Sequence, residues 1–112
     1  MTFRHAATLS ELPPGTAFPV DLGADTETAL VRTADGEVFA ISDVCSHQEI
    51  PLSEGDIDGC TLECYAHGSR FDLRTGVPLE PPAIVPVPVY PVRIDGDDIL
   101  VDVDNPIQIQ EN

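Results

Sequence analysis

Cys45-Ser46-His47-Gln48-Glu49-Ile50 and, after sixteen residues beyond His47, Cys64-Tyr65-Ala66-His67-Gly68-Ser69 are the two stretches on which the reading of this chain turns. Each holds one thiolate and one imidazole, close enough in sequence for a single tight loop to present both side chains to the same metal centre. The remaining sequence reads as scaffold for those two loops.

Outward from the first pair, Thr28 to Thr33 and Glu37 to Ser42 are two β-prone runs joined across Ala34-Asp35-Gly36, a hairpin that ends just before Cys45. A rigid sheet thus delivers the first pair. Between the pairs, Ile50 to Gly59 has the glycines and acids of a solvated loop, and Cys60 to Cys64 reads as a short strand running into the second pair. Upstream, Phe3 to Thr8 and Thr16 to Leu22 read as strands, with Pro19 pointing to a sheet edge. A helical turn at Leu9 to Leu12 is stopped by Pro13-Pro14-Gly15. Downstream, Arg74-Thr75-Gly76 makes a turn, and six prolines between Pro78 and Pro91 form a stiff loop leading into an edge strand. A second hairpin joins Val87–Ile94 to Ile99–Val103 through Asp95-Gly96-Asp97-Asp98. Many short strands, with no 3.6-residue period longer than one turn, predict an all-β domain.

The 112 residues are enough for one domain. Lys+Arg is 5, all arginine, against Asp+Glu 20, a net charge of −15 that excludes nucleic acid as a partner, because phosphate binding needs the opposite sign. The acidity keeps the chain soluble, and it also fits steering towards a basic face on a protein partner. Three cysteines cannot close a disulfide set, so a reducing compartment is expected. Met1 to Thr8 has no run apolar enough for a signal peptide, and nowhere do about 18 apolar residues follow one another. A cytoplasmic protein with no membrane contact is the expectation.

Two thiolates and two imidazoles suit either a tetrahedral zinc or a two-iron, two-sulfide cluster with histidines in place of two cysteines. Structural zinc more commonly draws its pairs from Cys-x-x-Cys or from histidines three to five residues apart, so this spacing is the less usual zinc arrangement.

With the continuation Phe71-Asp72-Leu73-Arg74-Thr75-Gly76, these motifs resemble the Rieske [2Fe-2S] proteins, and within them the small soluble ferredoxins of bacterial aromatic-ring dioxygenases. The resemblance implies a Rieske-type fold of small antiparallel sheets with a cluster-binding subdomain at 43–72, a basal β-domain from 1–42 and 73–106, and a tail at 107–112. It implies one [2Fe-2S] cluster per chain, with Cys45 and Cys64 on one iron and His47 and His67 on the other through ring nitrogens. Ser69 would reach a bridging sulfide. Pro82 would lie in the proline loop that covers the cluster. Two ferric ions, two sulfides and two thiolates sum to zero charge, so reduction is easier than with four thiolates; such centres span roughly −150 to +300 mV.

Departures from the high-potential members place this chain at the low end. Ile50 and Ala66 stand where those members carry a disulfide, and Phe71 stands where they have a tyrosine hydroxyl on a ligand sulfur. Tyr65 replaces the family's usual proline after the second cysteine. The implied function is one-electron transfer from a ferredoxin reductase to the terminal oxygenase, docking near His47 and His67, with no substrate turnover and no small-molecule substrate. Three histidines are too few for a second, mononuclear iron site, which excludes an oxygenase subunit. The alternatives are a Rieske accessory protein of iron-sulfur assembly or of another reductase, and a zinc-stapled interaction module. Cys60 reads as a small buried apolar side chain, His5 as a surface or edge residue, and the acids from Glu49 to Glu63 as a docking rim or a solubilising loop.

Overall fold

The computed structural model describes residues 3–23, 27–43, 51–64, 70–79 and 87–104. Cys45, His47, His67, Ser69, Pro82 and the tail at 107–112 lie outside the described residues, as do Ile50, Tyr65 and Ala66. Among the described residues there is no α-helix, and the strands form three antiparallel sheets, in agreement with the all-β expectation.

The middle sheet is built from β2 (Thr16–Val20), β3 (Thr28–Arg32), β4 (Val38–Ser42) and β8 (Val89–Tyr90), in the order β2-β3-β4-β8. Its centre is the expected hairpin, with Leu30 opposite Ala40 and Val31 opposite Phe39. Gly36 takes φ 95° in the turn, a value that glycine adopts without the steric penalty of a Cβ. Pro19 lies on β2 at the sheet edge, as its missing N–H requires.

Thr28, Ala29, Leu30 and Val31 are all buried, because this sheet is covered on both faces. Ala29, Val31 and Ile41 face a core completed by Leu52, Leu62, Cys64, Phe71, Leu73, Val87 and Val89. Leu30, Ala40 and Tyr90 face the opposite core, with Ala7, Leu12, Leu22, Ile99 and Val101. The second core is closed by β1 (Arg4–Thr8), β10 (Asp98–Val101) and β9 (Val92–Asp95), in the order β1-β10-β9. His5 is exposed on the edge strand β1, its Nε2 3.1 Å from Asp98 Oδ1.

The first core is closed by the sheet β5-β6-β7, made of Asp56–Asp58, Thr61–Glu63 and Arg70–Asp72. Part of the stretch read as a solvated loop is therefore structured. Leu52–Glu54 forms a 3-10 turn with Leu52 and Ser53 buried, and β5 pairs with β6 through Asp56 and Glu63, Ile57 and Leu62, and Asp58 and Thr61. Three residues are too few to show a strand period, and their acids point outward. Cys60 stands in the tight turn after Gly59 rather than in a strand, and it is only partly buried against the core.

Two further differences come from backbone donors. The turn predicted at Leu9 to Leu12 is a 3-10 turn over Leu9–Glu11, with the Thr8 N–H donating to Glu11 Oε1 at 3.0 Å. The strand read as continuous from Val87 to Ile94 divides at Pro91, which has no N–H for a ladder. β8 joins the middle sheet and β9 crosses to the other.

Candidate metal centre

Three chain segments leave or rejoin the described structure beside the core that holds Leu52, Cys64 and Val87. Residues 44–50 depart from Asp43 and return at Pro51, where the Leu52 N–H donates to Asp43 O at 2.9 Å. Residues 65–69 depart from Cys64 and return at Arg70, closed by the pairing of Glu63 with Arg70. Residues 80–86 depart from Leu79, whose N–H donates to Arg70 O at 2.7 Å, and return at Val87, whose N–H donates to Gly76 O at 2.9 Å. The return of the first segment also touches the departure of the second. A Cβ on Gly55 would lie 1.7 Å from Glu63 O, so the two backbones pass in contact.

Cys64 is the one member of the proposed ligand set inside the described residues. It follows β6 directly and is fully buried. It shares the first core with Leu52, Leu62, Phe71, Leu73, Val87 and Val89, a dry apolar wall behind the sulfur. A soft sulfur donor with that backing fits an iron-sulfur centre. Cys45, His47 and His67 are carried by the first two segments, and their positions lie outside the described residues.

Cys60 is not brought to this place. It lines a small cavity of about 260 Å³ with Thr33, Asp35, Glu37 and Arg74, and burial pushes its thiol above the ordinary range. Asp35 nearby accepts a hydrogen bond from the Thr33 hydroxyl, which holds its carboxyl below the usual carboxylate value. A groove of about 650 Å³ is lined by Phe39, Tyr90, Val92 and Ile94 with Arg32 and Arg74. Its arginines are engaged within the chain: Arg32 donates to the carbonyls of Leu9 and Leu12 at 3.3 and 3.2 Å, and Arg74 pairs with Glu37 at 3.5 Å.

Of the acids between the two ligand pairs, Glu54, Asp56 and Asp58 are exposed, and Arg70 at the base of the second segment lies 3.7 Å from Asp58. The residue that sequence reasoning passed over is Asp43. It is only 6% exposed, and its Oδ1 accepts the Ser53 N–H at 2.7 Å. One acid among 20 draws no notice, and the available signal was its place at the end of an apolar strand two residues before Cys45.

Comparison with known proteins supplies the remaining evidence. Residues 3–91 match the Rieske [2Fe-2S] domain family. The biphenyl dioxygenase ferredoxin subunit of Pseudomonas sp. (strain KKS102) is 45% identical over 103 residues, covering 91% of this chain and 93% of that protein. The ferredoxin of carbazole 1,9a-dioxygenase from Nocardioides aromaticivorans IC177 superposes with a TM-score of 0.83 at 41% identity, over 90% of this chain and 97% of that one. A second ferredoxin, solved in the complex of reduced oxygenase and oxidised ferredoxin in carbazole 1,9a-dioxygenase, gives a TM-score of 0.81 at 32% identity, over 88% of this chain and 91% of that one. With the paired motif, the three-sheet fold and the buried Cys64 in agreement, this chain belongs to the Rieske [2Fe-2S] domain family.

Proposed function

We propose that this protein is the ferredoxin component of an aromatic-ring-hydroxylating dioxygenase system, carrying electrons one at a time from a ferredoxin reductase to a terminal oxygenase in the cytoplasm. It is an electron-transfer component and not an enzyme. The observation that carries the reading is the match along nearly the whole length of a dioxygenase ferredoxin subunit, 45% identical over 103 residues. The absence, among the described residues, of a helix long and apolar enough to cross a membrane is compatible with it.

Cys45 and Cys64 would hold one iron of the [2Fe-2S] cluster and His47 and His67 the other, one cluster per chain. When bound, that group supplies a centre that takes up and releases a single electron. The chain's own residues do the rest. Leu62, Phe71 and Leu73 keep water from the side of Cys64, which limits the reorganisation that a change of charge demands. Ser69 would donate to a sulfide of the bound cluster, and Pro82 would belong to the segment that covers it. Residues 43–72 act as the cluster-binding subdomain on a base of 1–42 and 73–106, with 107–112 as a tail. Both protein partners would dock near His47 and His67, and the exposed Glu54, Asp56 and Asp58 favour partners with basic faces.

Two measurements test this. Replacing His67 by alanine abolishes the visible spectrum of the anaerobically isolated protein; an unchanged spectrum overturns the ligand set. Protein reduced by a ferredoxin reductase drives turnover of a ring-hydroxylating oxygenase. Failure with every such oxygenase, alongside an intact cluster, overturns the assignment of the system.

A further inference from the structure

We propose that Asp43 is a positioning residue for the cluster ligands: a buried side chain that ties the departure of segment 44–50 to its return and so sets where Cys45 and His47 are delivered. The inference rests on the ligand set given above. Its basis is three hydrogen bonds that meet on one residue. The Asp43 N–H donates to Glu27 O at 2.9 Å, anchoring it to the residue that precedes β3. Its carbonyl accepts the Leu52 N–H at 2.9 Å, and its Oδ1 accepts the Ser53 N–H at 2.7 Å.

The two acceptors of Asp43 thus grip consecutive N–H groups in the 3-10 turn Leu52–Glu54, on the far side of the segment. That turn is itself built into the core, since Leu52 is fully buried with Cys64 and Leu62. The departure of the first ligand segment is therefore registered against the wall behind Cys64. Cys45 is two residues from Asp43, a reach of about 7 Å. A shift at Asp43 passes to the first sulfur with little chain to absorb it.

Among the described residues, Asp43 Oδ1 is the acceptor recorded for the Ser53 N–H. Ser53 Oγ is buried and has no hydrogen-bond partner among the described residues. Removing the Asp43 side chain strands the Ser53 N–H beside it, in a place where an unmade hydrogen bond is costly. The requirement is for an acceptor oxygen at one position. Asn supplies that oxygen through its amide carbonyl, whereas Glu keeps the charge but carries its oxygens one methylene further out.

The test compares Asp43→Ala, Asp43→Glu and Asp43→Asn in the cluster-loaded protein. The readouts are the rate at which an iron chelator bleaches the visible absorbance and the electron resonance spectrum after reduction. Asp43→Ala and Asp43→Glu release iron about 10–100-fold faster, the usual effect of losing a residue that orients metal ligands, and their resonance lines broaden. Asp43→Asn keeps the parent rate and line shape. Ile99→Ala opens the second core, away from Cys64, and also keeps the parent rate.

The proposal is overturned by parental behaviour of Asp43→Ala, by an Asp43→Asn variant that bleaches as fast as Asp43→Ala, or by equally fast bleaching of Ile99→Ala. Cys45→Ser separates this failure from that of the ligand set. A parental spectrum in Cys45→Ser removes the ligand set itself. A bleached Cys45→Ser beside a parental Asp43→Ala removes only the role of Asp43.

Discussion

Gly55→Ala places a methyl group where the backbone of β6 already is. Gly55 has φ −83° and ψ −176°, ordinary extended values, so the substitution carries no conformational penalty of its own. The added Cβ would meet Glu63 O at 1.7 Å and Leu52 O at 3.2 Å. Carbon and carbonyl oxygen settle at about 3.3–3.6 Å, so Glu63 or Gly55 must move by roughly 1.6 Å. The obstructing atom belongs to a strand paired on both sides, with Glu63 opposite Asp56 and Arg70, and it cannot swing aside as a side-chain tip would.

The cost belongs at the upper end of the ~1–3 kcal/mol seen for overpacking, or beyond it. The displaced peptide is the one joining Glu63 to Cys64, so the variant also releases iron faster. Gly59→Ala is the comparison. Gly59 has φ 59°, and a Cβ added there would meet nothing within 4 Å, so alanine costs about 1–2 kcal/mol of backbone strain and leaves the cluster in place. Denaturant unfolding gives the stabilities, and bleaching under an iron chelator gives cluster retention. If Gly55→Ala unfolds at the same denaturant concentration as the parent and bleaches at the parent rate, the contact between the two segment bases is not as described.

Phe71→Ala removes a fully buried ring from the core that contains Cys64. It costs ~3–5 kcal/mol and hastens iron loss, whereas Ile99→Ala, at ~2–5 kcal/mol, unfolds the protein earlier without hastening it; urea titration and chelation in parallel separate the two effects. Arg74→Ala breaks a pair whose side chains are 61% and 51% exposed, and changes stability by less than ~1 kcal/mol in the same titration. Burial raises the Cys60 thiol above the ordinary cysteine range, so its thiolate is scarcer at neutral pH than that of an unperturbed cysteine. Alkylation of Cys60 in the loaded protein, followed by mass spectrometry, is therefore slower at about pH 7 than that of a cysteine in an unstructured peptide and levels off at a higher pH; a rate that levels off at or below the peptide's pH contradicts the burial.

The chemistry of the centre was legible because it is local. Cys45-Ser46-His47 and Cys64-Tyr65-Ala66-His67 carry donor types and spacings that need no tertiary information, and the β3–β4 and β9–β10 hairpins are marked by Asp-Gly in their turns. The strand β5 was illegible, because Asp-Ile-Asp is too short to display a period and becomes a strand only by pairing with β6. The split at Pro91 was legible in principle, yet nothing local says that β8 and β9 enter different sheets.

By itself, then, the sequence determined the class of the metal centre, the donor set proposed for it and the all-β character of the chain. The tertiary structure alone decided that β1 pairs with β10, that the middle sheet is covered on both faces, and that Asp43 grips Leu52 and Ser53. Donor type and turn chemistry act over a few residues, whereas strand order and the pairing of a buried acid depend on partners brought together from distant parts of the chain. Those partners leave no mark in the local pattern, because any of several strands or N–H groups could satisfy the same residue.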